Sequence, residues 1–343
     1  MARLLKWIGL LLGGGLLALG VAWGWAAMAP PAALPADVII VIPAGASGTR
    51  AADLLAREGI IRSALGFRLR AAWRGVSQRL QAGEYLFTAA PAPADVLNRL
   101  VAGDVLLHAV TIPEGLTLRQ TVTLLAESDL EIRGDLEAAV RRPELVADFD
   151  TQAADLEGYL FPDTYQLARS TAAEVVVDLL VARFREVSEE LRDGSTDLPD
   201  PVIKDIRAWV SLASMVEKET AIPAERGRVA GVFVNRLRLG MPLQSDPTVA
   251  YALKSAGIPQ EGSLAPWLDL QHPYNTYTAT GLPPGPIANP GRAALAAALN
   301  PQPSQDLYFV ADGRGGHRFS PSLAEHNKAV SLWRRHQAAS RTP

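Results

Sequence analysis

The sequence predicts an α+β protein, in which short strands and amphipathic helices share most of the chain behind one apolar N-terminal segment. Residues 7–28 are apolar and uncharged, and a strand–turn–helix pattern occurs twice further along. Apolar residues at helical spacing also lead up to two glutamates, Glu217 and Glu219. We therefore expect a transmembrane helix, a small α/β module and a mixed α+β domain built around a buried helix.

The composition excludes several classes of function. The chain has 343 residues and a formal net charge of −3, so it has no basic excess with which to bind nucleic acid. It contains no cysteine, which excludes disulfides, thiol catalysis and a lipid-modified cysteine. The five histidines are scattered without a His-x-x-x-His pair, so we predict no metal site and no cofactor.

Residues 7–28 are predicted to form a single transmembrane helix. A helix of this length spans about 33 Å, enough for the core of a bilayer. Basic residues within residues 1–6 should keep that end in the cytoplasm and place the rest of the chain outside the inner membrane. A cleaved signal peptide is the alternative, because Ala27-Met28-Ala29 fits a cleavage site. Residues 29–37, rich in alanine and proline, are predicted to be a linker.

An internal repeat follows the linker. Ile42-Pro43-Ala44-Gly45 precedes Leu54-Leu55-Ala56, and the same pattern recurs as Ile112-Pro113-Glu114-Gly115 before Leu124-Leu125-Ala126. Each copy predicts a strand, a turn and a short helix.

A second strand and helix are predicted between the two copies of the repeat. The strand covers residues 82–88, and the helix covers residues 95–101 with Gly103 beyond its end. We place a small module at residues 38–109 and the main domain at residues 110–343.

Residues 211–220 are predicted to lie on a largely buried helix. Apolar residues recur near helical spacing from Ile203 to Val216. Pro223 disfavours helical geometry at the residue before it, so the helix should end near Thr220.

The two glutamates at the end of this helix are the candidate catalytic groups. Two residues apart, Glu217 and Glu219 point about 200° away from each other, so only one faces a given cleft. Burial raises the pKa of a carboxyl group, and a carboxyl that stays protonated near neutral pH can act as a general acid. The alternative is that both are solvated or paired with nearby basic residues.

Several other segments carry polar residues suited to a binding cleft, and the family resemblance given below implies that its ligand is a sugar. Tyrosine rings pack on sugars, and amides and hydroxyls bind sugar hydroxyl and acetamide groups. Glu157 and Asp163 flank an aromatic turn, where they either orient substrate or line the core. Asn235 is either a ligand for an acetamide or a core amide, and Asp246 is either a cleft residue or a helix cap. The predicted substrate-binding residues are Asn235, Gln244, Asp246, Tyr274, Asn275, Thr276 and Tyr277.

The remaining elements complete the predicted domain. Residues 172–191 and 226–239 are predicted helices, and a short helix follows Asp246. A hairpin at residues 307–319 and a closing helix at residues 323–333 end the pattern.

Nine sequence blocks between Ser211 and Lys328 identify a family. They are Glu217-Lys218-Glu219-Thr220, Glu225-Arg226, Val232–Leu237, Leu243–Val249, Tyr274–Tyr277, Gly281–Gly285, Leu307–Gly313, Gly316-His317 and His326–Lys328. In this order they resemble the YceG-like endolytic murein transglycosylase family.

The resemblance implies a lytic transglycosylase that cuts between N-acetylmuramic acid and N-acetylglucosamine within a glycan strand and leaves a 1,6-anhydro end. It places the catalytic glutamate at Glu219, with Glu217 as the alternative. Residues 38–109 resemble a LysM-like module, which either holds the glycan or only spaces the catalytic domain from the membrane. The family likeness also suggests peptidoglycan synthases as partners and termination of nascent strands as the role.

Two other functions remain open on sequence grounds. One is a peptidoglycan hydrolase that uses Glu157, Asp163 or Asp246 as a second carboxylate. The other is a wall-binding scaffold of the synthesis machinery without catalytic activity.

Overall fold

The fold is known from a computed structural model that describes residues 36–193, 198 and 200–340, together with residues 14, 15, 20, 24, 29–31 and 34. The predicted α+β class is confirmed, since the described residues form eleven α-helices and three two-stranded sheets. None of the described helices has the length and apolar character needed to cross a membrane. The predicted anchor at residues 7–28 lies outside the described residues, apart from four glycines.

The chain divides into two compact units. The first contains the residues up to Ala109, with residues 129–131 and 166–171. The second contains Val110–Ser128, Ile132–Tyr165 and the chain from Ala172 onward.

The first unit packs three helices against a two-stranded antiparallel sheet. Its elements are β1 (Val38–Ile42), α1 (Gly48–Arg57), α2 (Ala64–Trp73), β2 (Gly83–Phe87) and α3 (Pro93–Ala102). Ile40 and Ile42 are buried while Ile39 and Val41 are exposed, because successive side chains of a strand point to opposite faces. Gly103 ends α3 in the left-handed conformation, at φ 70°, which a glycine adopts without strain.

The second unit is mainly helical. Its helices are α4 (Leu118–Ala126), α5 (Leu136–Ala139), α6 (Ala173–Leu191), α7 (Ile206–Glu219), α8 (Pro223–Arg238), α9 (Asp246–Ser255), α10 (Arg292–Leu299) and α11 (Leu323–Ser340). Strands β5 (Tyr308–Ala311) and β6 (His317–Ser320) form an antiparallel hairpin. A further sheet pairs β3 (Leu107–Thr111) with β4 (Thr164–Ala168), and neither strand lies wholly within one unit.

Helix α7 is the centre of the second unit. Eight consecutive residues, from Trp209 to Val216, are buried, so the helix is enclosed on all sides rather than amphipathic. The Asp205 side chain accepts a hydrogen bond from the Ala208 backbone and caps the first turn. The helix ends at Glu219, where the sequence predicts, because Pro223 holds the residue before it in an extended conformation.

Two other element boundaries differ from the sequence prediction. Helix α8 begins at Pro223 rather than near Arg226, since proline is well accommodated in the first turn of a helix. Asp246 is not a helix cap: Ser245 precedes the helix, and Asp246 is the first residue of α9. Its carboxylate is therefore available for another role.

Asn289 joins three loops in the interior of the second unit. Its Oδ1 accepts hydrogen bonds from the backbone N–H groups of Gly158 and Leu160, at 2.9 and 3.1 Å. Its Nδ2 donates to the backbone oxygen of Leu116 at 3.0 Å. The side chain is completely buried.

Replacing Asn289 with Ala should lower the free energy of unfolding by roughly 2–6 kcal/mol, because each of the two buried N–H groups left without an acceptor costs about 1–3 kcal/mol. Chemical denaturation measures the loss. Asn300→Ala, at an exposed position, is the matched control and should change stability little. Equal effects of the two substitutions would contradict this account of Asn289.

Candidate active site

Glu219 lies at the last position of α7 and is half-buried. Its Oε1 accepts a hydrogen bond from the Ser245 hydroxyl at 2.5 Å. Burial raises the pKa of Glu219 to about 7, against the lowering effect of the Ser245 hydrogen bond. The negative charge of Asp246 raises the pKa further, and His317 lowers it. Glu219 can therefore carry a proton near neutral pH.

Ser245 is held in place by buried threonines. Its backbone N–H donates to Thr276 Oγ1 at 3.0 Å, and its carbonyl accepts from Thr248 Oγ1 at 2.6 Å. The two threonine hydroxyls lie 2.9 Å apart and hydrogen-bond to each other. The partner of Glu219 is thus fixed by a network that has no exposed member, since all three side chains are buried.

Gln244, directly before Ser245, has a left-handed backbone with φ 50°. A residue with a side chain adopts this conformation at a cost of about 1–3 kcal/mol. Its backbone N–H is bonded to the carbonyl of Thr276 at 3.1 Å. The strained turn places Ser245 and Asp246 side by side at the start of α9.

An open cleft of about 320 Å³ surrounds Glu219. Its size is at the lower end of the range for ligand sites. The residues that line it are Glu219, Arg236, Leu243, Gln244, Asp246, Tyr277, Tyr308, Phe309, Leu323 and His326. Asp246 also lines a second hollow, whose walls include Pro247, Tyr251 and Lys254.

Asp246 is exposed at the edge of the cleft. Its Oδ1 accepts a hydrogen bond from the Tyr277 hydroxyl at 2.6 Å. The nearby carboxylate and burial of the ring together raise the pKa of Tyr277, with burial the larger cause. Tyr277 therefore stays protonated and orients Asp246.

Glu217 has a different environment from Glu219. Its Oε1 accepts from Arg226 Nη2 at 3.1 Å, and its Oε2 accepts from the backbone N–H of Gly291 at 3.0 Å. Burial raises its pKa, whereas these two contacts favour the ionised form. Glu217 joins α7 to α8 and to the start of α10, and it does not line the cleft around Glu219.

A carboxylate–histidine pair, Glu225 and His317, lies near the end of α7. Glu225 accepts hydrogen bonds from the backbone N–H of His317 at 2.9 Å and contacts its Nδ1 at 2.7 Å. These contacts, together with Thr220, hold the pKa of Glu225 below its usual value despite burial. The pair fixes the β5–β6 hairpin against the first turn of α8.

Three of the seven predicted substrate-binding residues line the cleft: Gln244, Asp246 and Tyr277. The structure places the other four elsewhere. Asn235 donates to the backbone oxygens of Ser304 and Asp306 at 2.9 and 3.0 Å. It has the core-amide role that the sequence left open.

The other three predicted residues do not line the cleft but make structural contacts: Tyr274, Asn275 and Thr276. Asn275 is buried and donates to the carbonyls of Leu268 and Leu270. Thr276 belongs to the network around Ser245. The Tyr274 ring packs on Tyr251, with centroids 4.8 Å apart.

Glu157 and Asp163 do not reach Glu219's cleft. Glu157 caps α4 by accepting from the Leu118 backbone at 2.9 Å, and burial raises its pKa to about 8. Asp163 pairs with Arg183 at 2.8 Å. The aromatic turn between them lines the core, which was the alternative interpretation.

Sequence reasoning did not assign Ser245, Arg236, Tyr308 or His326 to the site. All four lie within blocks of family resemblance, which was the only sequence signal available for them. No group of three or more His, Cys, Asp or Glu residues suited to a metal ion occurs in the part of the chain that the structure describes.

The fold and the cleft define an enzyme-like α+β domain, in which an open cleft contains a carboxyl group that can be protonated near neutral pH. Comparison with known proteins identifies the family. The model of the YceG-like family matches residues 40–332, and the chain belongs to this family.

Named relatives agree with this assignment. An "Endolytic murein transglycosylase" of Bacillus subtilis is 33% identical over 307 residues, which cover 85% of this chain and 83% of the relative. A protein of the same name from Streptococcus pneumoniae is 30% identical, and the match covers 86% of this chain but only 58% of that relative.

A solved structure is also similar. The crystal structure of a YceG-like protein from Listeria monocytogenes superposes with a TM-score of 0.56 at 30% identity. The match covers 85% of this chain and 98% of that chain.

Proposed function

We propose that this protein is a lytic transglycosylase that cuts murein glycan strands internally, with Glu219 as its catalytic residue. One observation carries the assignment of Glu219: it is the only carboxyl among the described cleft residues whose pKa burial raises, to about 7. The names of the relatives support the substrate and the reaction class.

Glu219 acts first as acid and then as base. Its proton goes to the glycosidic oxygen, and the bond from C1 of N-acetylmuramic acid to that oxygen breaks. The resulting carboxylate then takes the proton of the C6 hydroxyl on the same sugar, whose oxygen bonds to C1. The product is a 1,6-anhydro end, Glu219 is protonated again and no water is consumed.

Ser245 and Asp246 adjust Glu219 for both steps. The Ser245 hydroxyl stabilises the carboxylate that forms after the first transfer. Asp246 contributes negative charge close to a reaction centre that becomes positive at C1, and Tyr277 fixes its position. One catalytic carboxyl suffices because the substrate supplies the nucleophile, whereas most hydrolysing glycosidases need two.

The shape of the cleft suits cleavage within a strand. The cleft around Glu219 shares Asp246 with a second hollow, which shares Tyr251 and Lys254 with a third hollow beside Glu157. An open groove of this kind can hold a polymer on both sides of the cut.

Digestion of purified glycan strands tests the proposal. Mass analysis should find fragments that end in 1,6-anhydro-N-acetylmuramic acid. Fragments heavier by one water would identify a hydrolase, with Asp246 as the candidate second carboxylate because it lines the same cleft. Strands that stay intact would indicate a wall-binding scaffold instead.

The rate should depend on pH through Glu219. The acid form is required first, so kcat/KM should fall about tenfold per pH unit above a pKa near 7. Ser245→Ala removes the hydrogen bond that favours the carboxylate, so the falling limb should move to higher pH. Ser331→Ala, an exposed serine on α11, is the control. Identical profiles for all three proteins would contradict this role for Ser245.

The remaining parts of the chain have proposed roles of their own. Residues 1–6 are a cytoplasmic tail, residues 7–28 are an inner-membrane anchor, and residues 29–37 are a linker. Residues 38–109 are a LysM-like module, and residues 110–343 are the catalytic domain. The domain then acts outside the inner membrane, where peptidoglycan synthases are possible partners in terminating nascent strands.

The anchor has a direct test. The mature protein should keep its N-terminus and stay in the membrane fraction at high salt, because burial of apolar surface is not screened by ions. Recovery of a soluble form that begins near Ala29 or Pro30 would favour a cleaved signal peptide.

A further inference from the structure

Arg236 is a buried cation in the cleft that Glu219 and Asp246 also line. It is only 7% exposed, and among the described residues no carboxylate forms an ion pair with it. Buried charges are normally paired, because an unpaired one is costly. Desolvation lowers the pKa of Arg236 as expected for such a group, although arginine stays charged.

Backbone carbonyls hold one side of the guanidinium. Its Nε donates to Leu307 at 2.6 Å, and its Nη1 donates to Pro242 and Leu243, both at 3.1 Å. The ring of Tyr308 covers it, with the guanidinium carbon 5.0 Å from the ring centroid. These contacts fix the position of the group but supply no ion pair.

The other side of the guanidinium belongs to the cleft. Arg236 lines the cleft together with Glu219, and Nη2 has no hydrogen-bond partner among the described residues. Arg236 is also the only arginine or lysine of the described cleft lining. Both residues line one cleft of about 320 Å³, so we expect the sugar at the cut bond to contact both.

We propose that Arg236 binds an oxygen of the lactyl group of the N-acetylmuramic acid whose C1 reacts, and so makes the enzyme specific for muramyl sugars. The inference rests on the proposed function. The lactyl group at C3 is the substituent that distinguishes muramic acid from glucosamine. It offers a carboxylate oxygen in a strand without peptides and an amide carbonyl oxygen in a strand with them, and a guanidinium binds both.

The charge of the transition state indicates that Arg236 binds the substituent at C3 rather than a group at the reacting centre. Positive charge develops at C1 as the glycosidic bond breaks. A cation that faced C1 would repel this developing charge. A cation bound to the acetamide oxygen would also oppose the reaction, because it would draw that oxygen away from C1. A cation bound to a substituent of C3 holds the same sugar without that penalty.

Neighbouring rings shape the wall around this contact. His326 stacks on Tyr308, with ring centroids 5.2 Å apart. Burial and the charge of Arg236 both lower the pKa of His326, so the ring is neutral and does not compete for the lactyl oxygen as a second cation. Arg236 Nη1 also donates a long hydrogen bond to Gln244 Oε1, at 3.4 Å, so Gln244 borders the guanidinium as well.

Binding to a non-cutting protein tests the proposal. In the Glu219→Gln background of the full chain, calorimetry would compare three probes: a muramyl tetrasaccharide with free lactyl carboxylates, the same glycan with stem peptides, and chitotetraose. Both muramyl probes should bind about tenfold more tightly than chitotetraose, as expected for one charge-assisted hydrogen bond. Adding Arg236→Gln should remove this preference and leave chitotetraose binding unchanged.

Arg238→Gln is the matched control, since Arg238 lies on the same helix and pairs with Asp200 outside the cleft. A muramyl preference that survives Arg236→Gln overturns the proposal. Equal weakening of all three probes also overturns it, because Arg236 would then act only by supporting the backbone.

A second measurement covers the case in which Arg236→Gln does not fold. The Glu219→Gln protein alone should bind the carboxylate probe more weakly as salt increases, while chitotetraose binding stays constant. Equal salt dependence overturns the proposal. Strand cleavage by the wild-type protein is scored separately, so failure of this inference is distinct from failure of the proposed function.

Discussion

Replacing Glu219 with Gln is expected to abolish strand cleavage while leaving the fold intact. Glutamine keeps the size of the side chain and can still bond to Ser245, but it has no proton to transfer. Loss of general acid–base catalysis typically costs about two to four orders of magnitude in rate. Because one carboxyl serves both steps in the proposed mechanism, we expect the upper end. Release of anhydro-ended fragments measures the rate, and thermal melts check the fold.

Glu217→Gln is the internal control for this experiment. Glu217 is bonded to Arg226 and to the backbone of Gly291, so the substitution weakens a buried ion pair and should lower stability. It should cost at most a modest fraction of the rate, because Glu217 does not line the cleft. A folded, inactive Glu217→Gln beside an active Glu219→Gln would mean that the catalytic carboxyl is the other one. If both variants cut strands, the two glutamates are structural.

Helix α7 is the part of the candidate site that sequence predicts best. Its apolar spacing, the charged pair at its end and Pro223 are all local signals. They correctly predict a buried helix that ends at the glutamates. The opposite directions of Glu217 and Glu219 follow from helix geometry alone, and the two have separate partners in the structure.

The rest of the cleft depends on contacts between distant parts of the chain. Ser245 reaches Glu219 across 26 residues, and Arg236 is held by a carbonyl 71 residues away. No periodicity encodes such contacts. Asn235 illustrates the converse, since its amide could bind a sugar or a backbone carbonyl, and only the position of the 304–306 loop shows which.

Gly158→Ala is expected to destabilise the second unit strongly. Gly158 has φ +89°, and an added Cβ would lie 2.4 Å from Pro286 Cγ and 3.0 Å from Val210 Cγ1. The left-handed backbone costs about 1–2 kcal/mol for a residue with a side chain, and overpacking adds typically 1–3 kcal/mol. We expect roughly 2–5 kcal/mol less stability, measured by chemical denaturation.

Gly281→Ala separates these two costs. Gly281 has nearly the same φ, +87°, but an added Cβ there meets no atom within 4 Å. The Gly281→Ala variant should lose only the stability that the left-handed backbone costs, about 1–2 kcal/mol. The difference between the variants is then the cost of displacing Pro286. Because the next residue, Ile287, donates its backbone N–H to Ser214 on α7 at 3.0 Å, that displacement disturbs the helix that carries Glu219. Equal stability losses in the two variants would show that the loop around Pro286 yields freely and does not hold helix α7 in place.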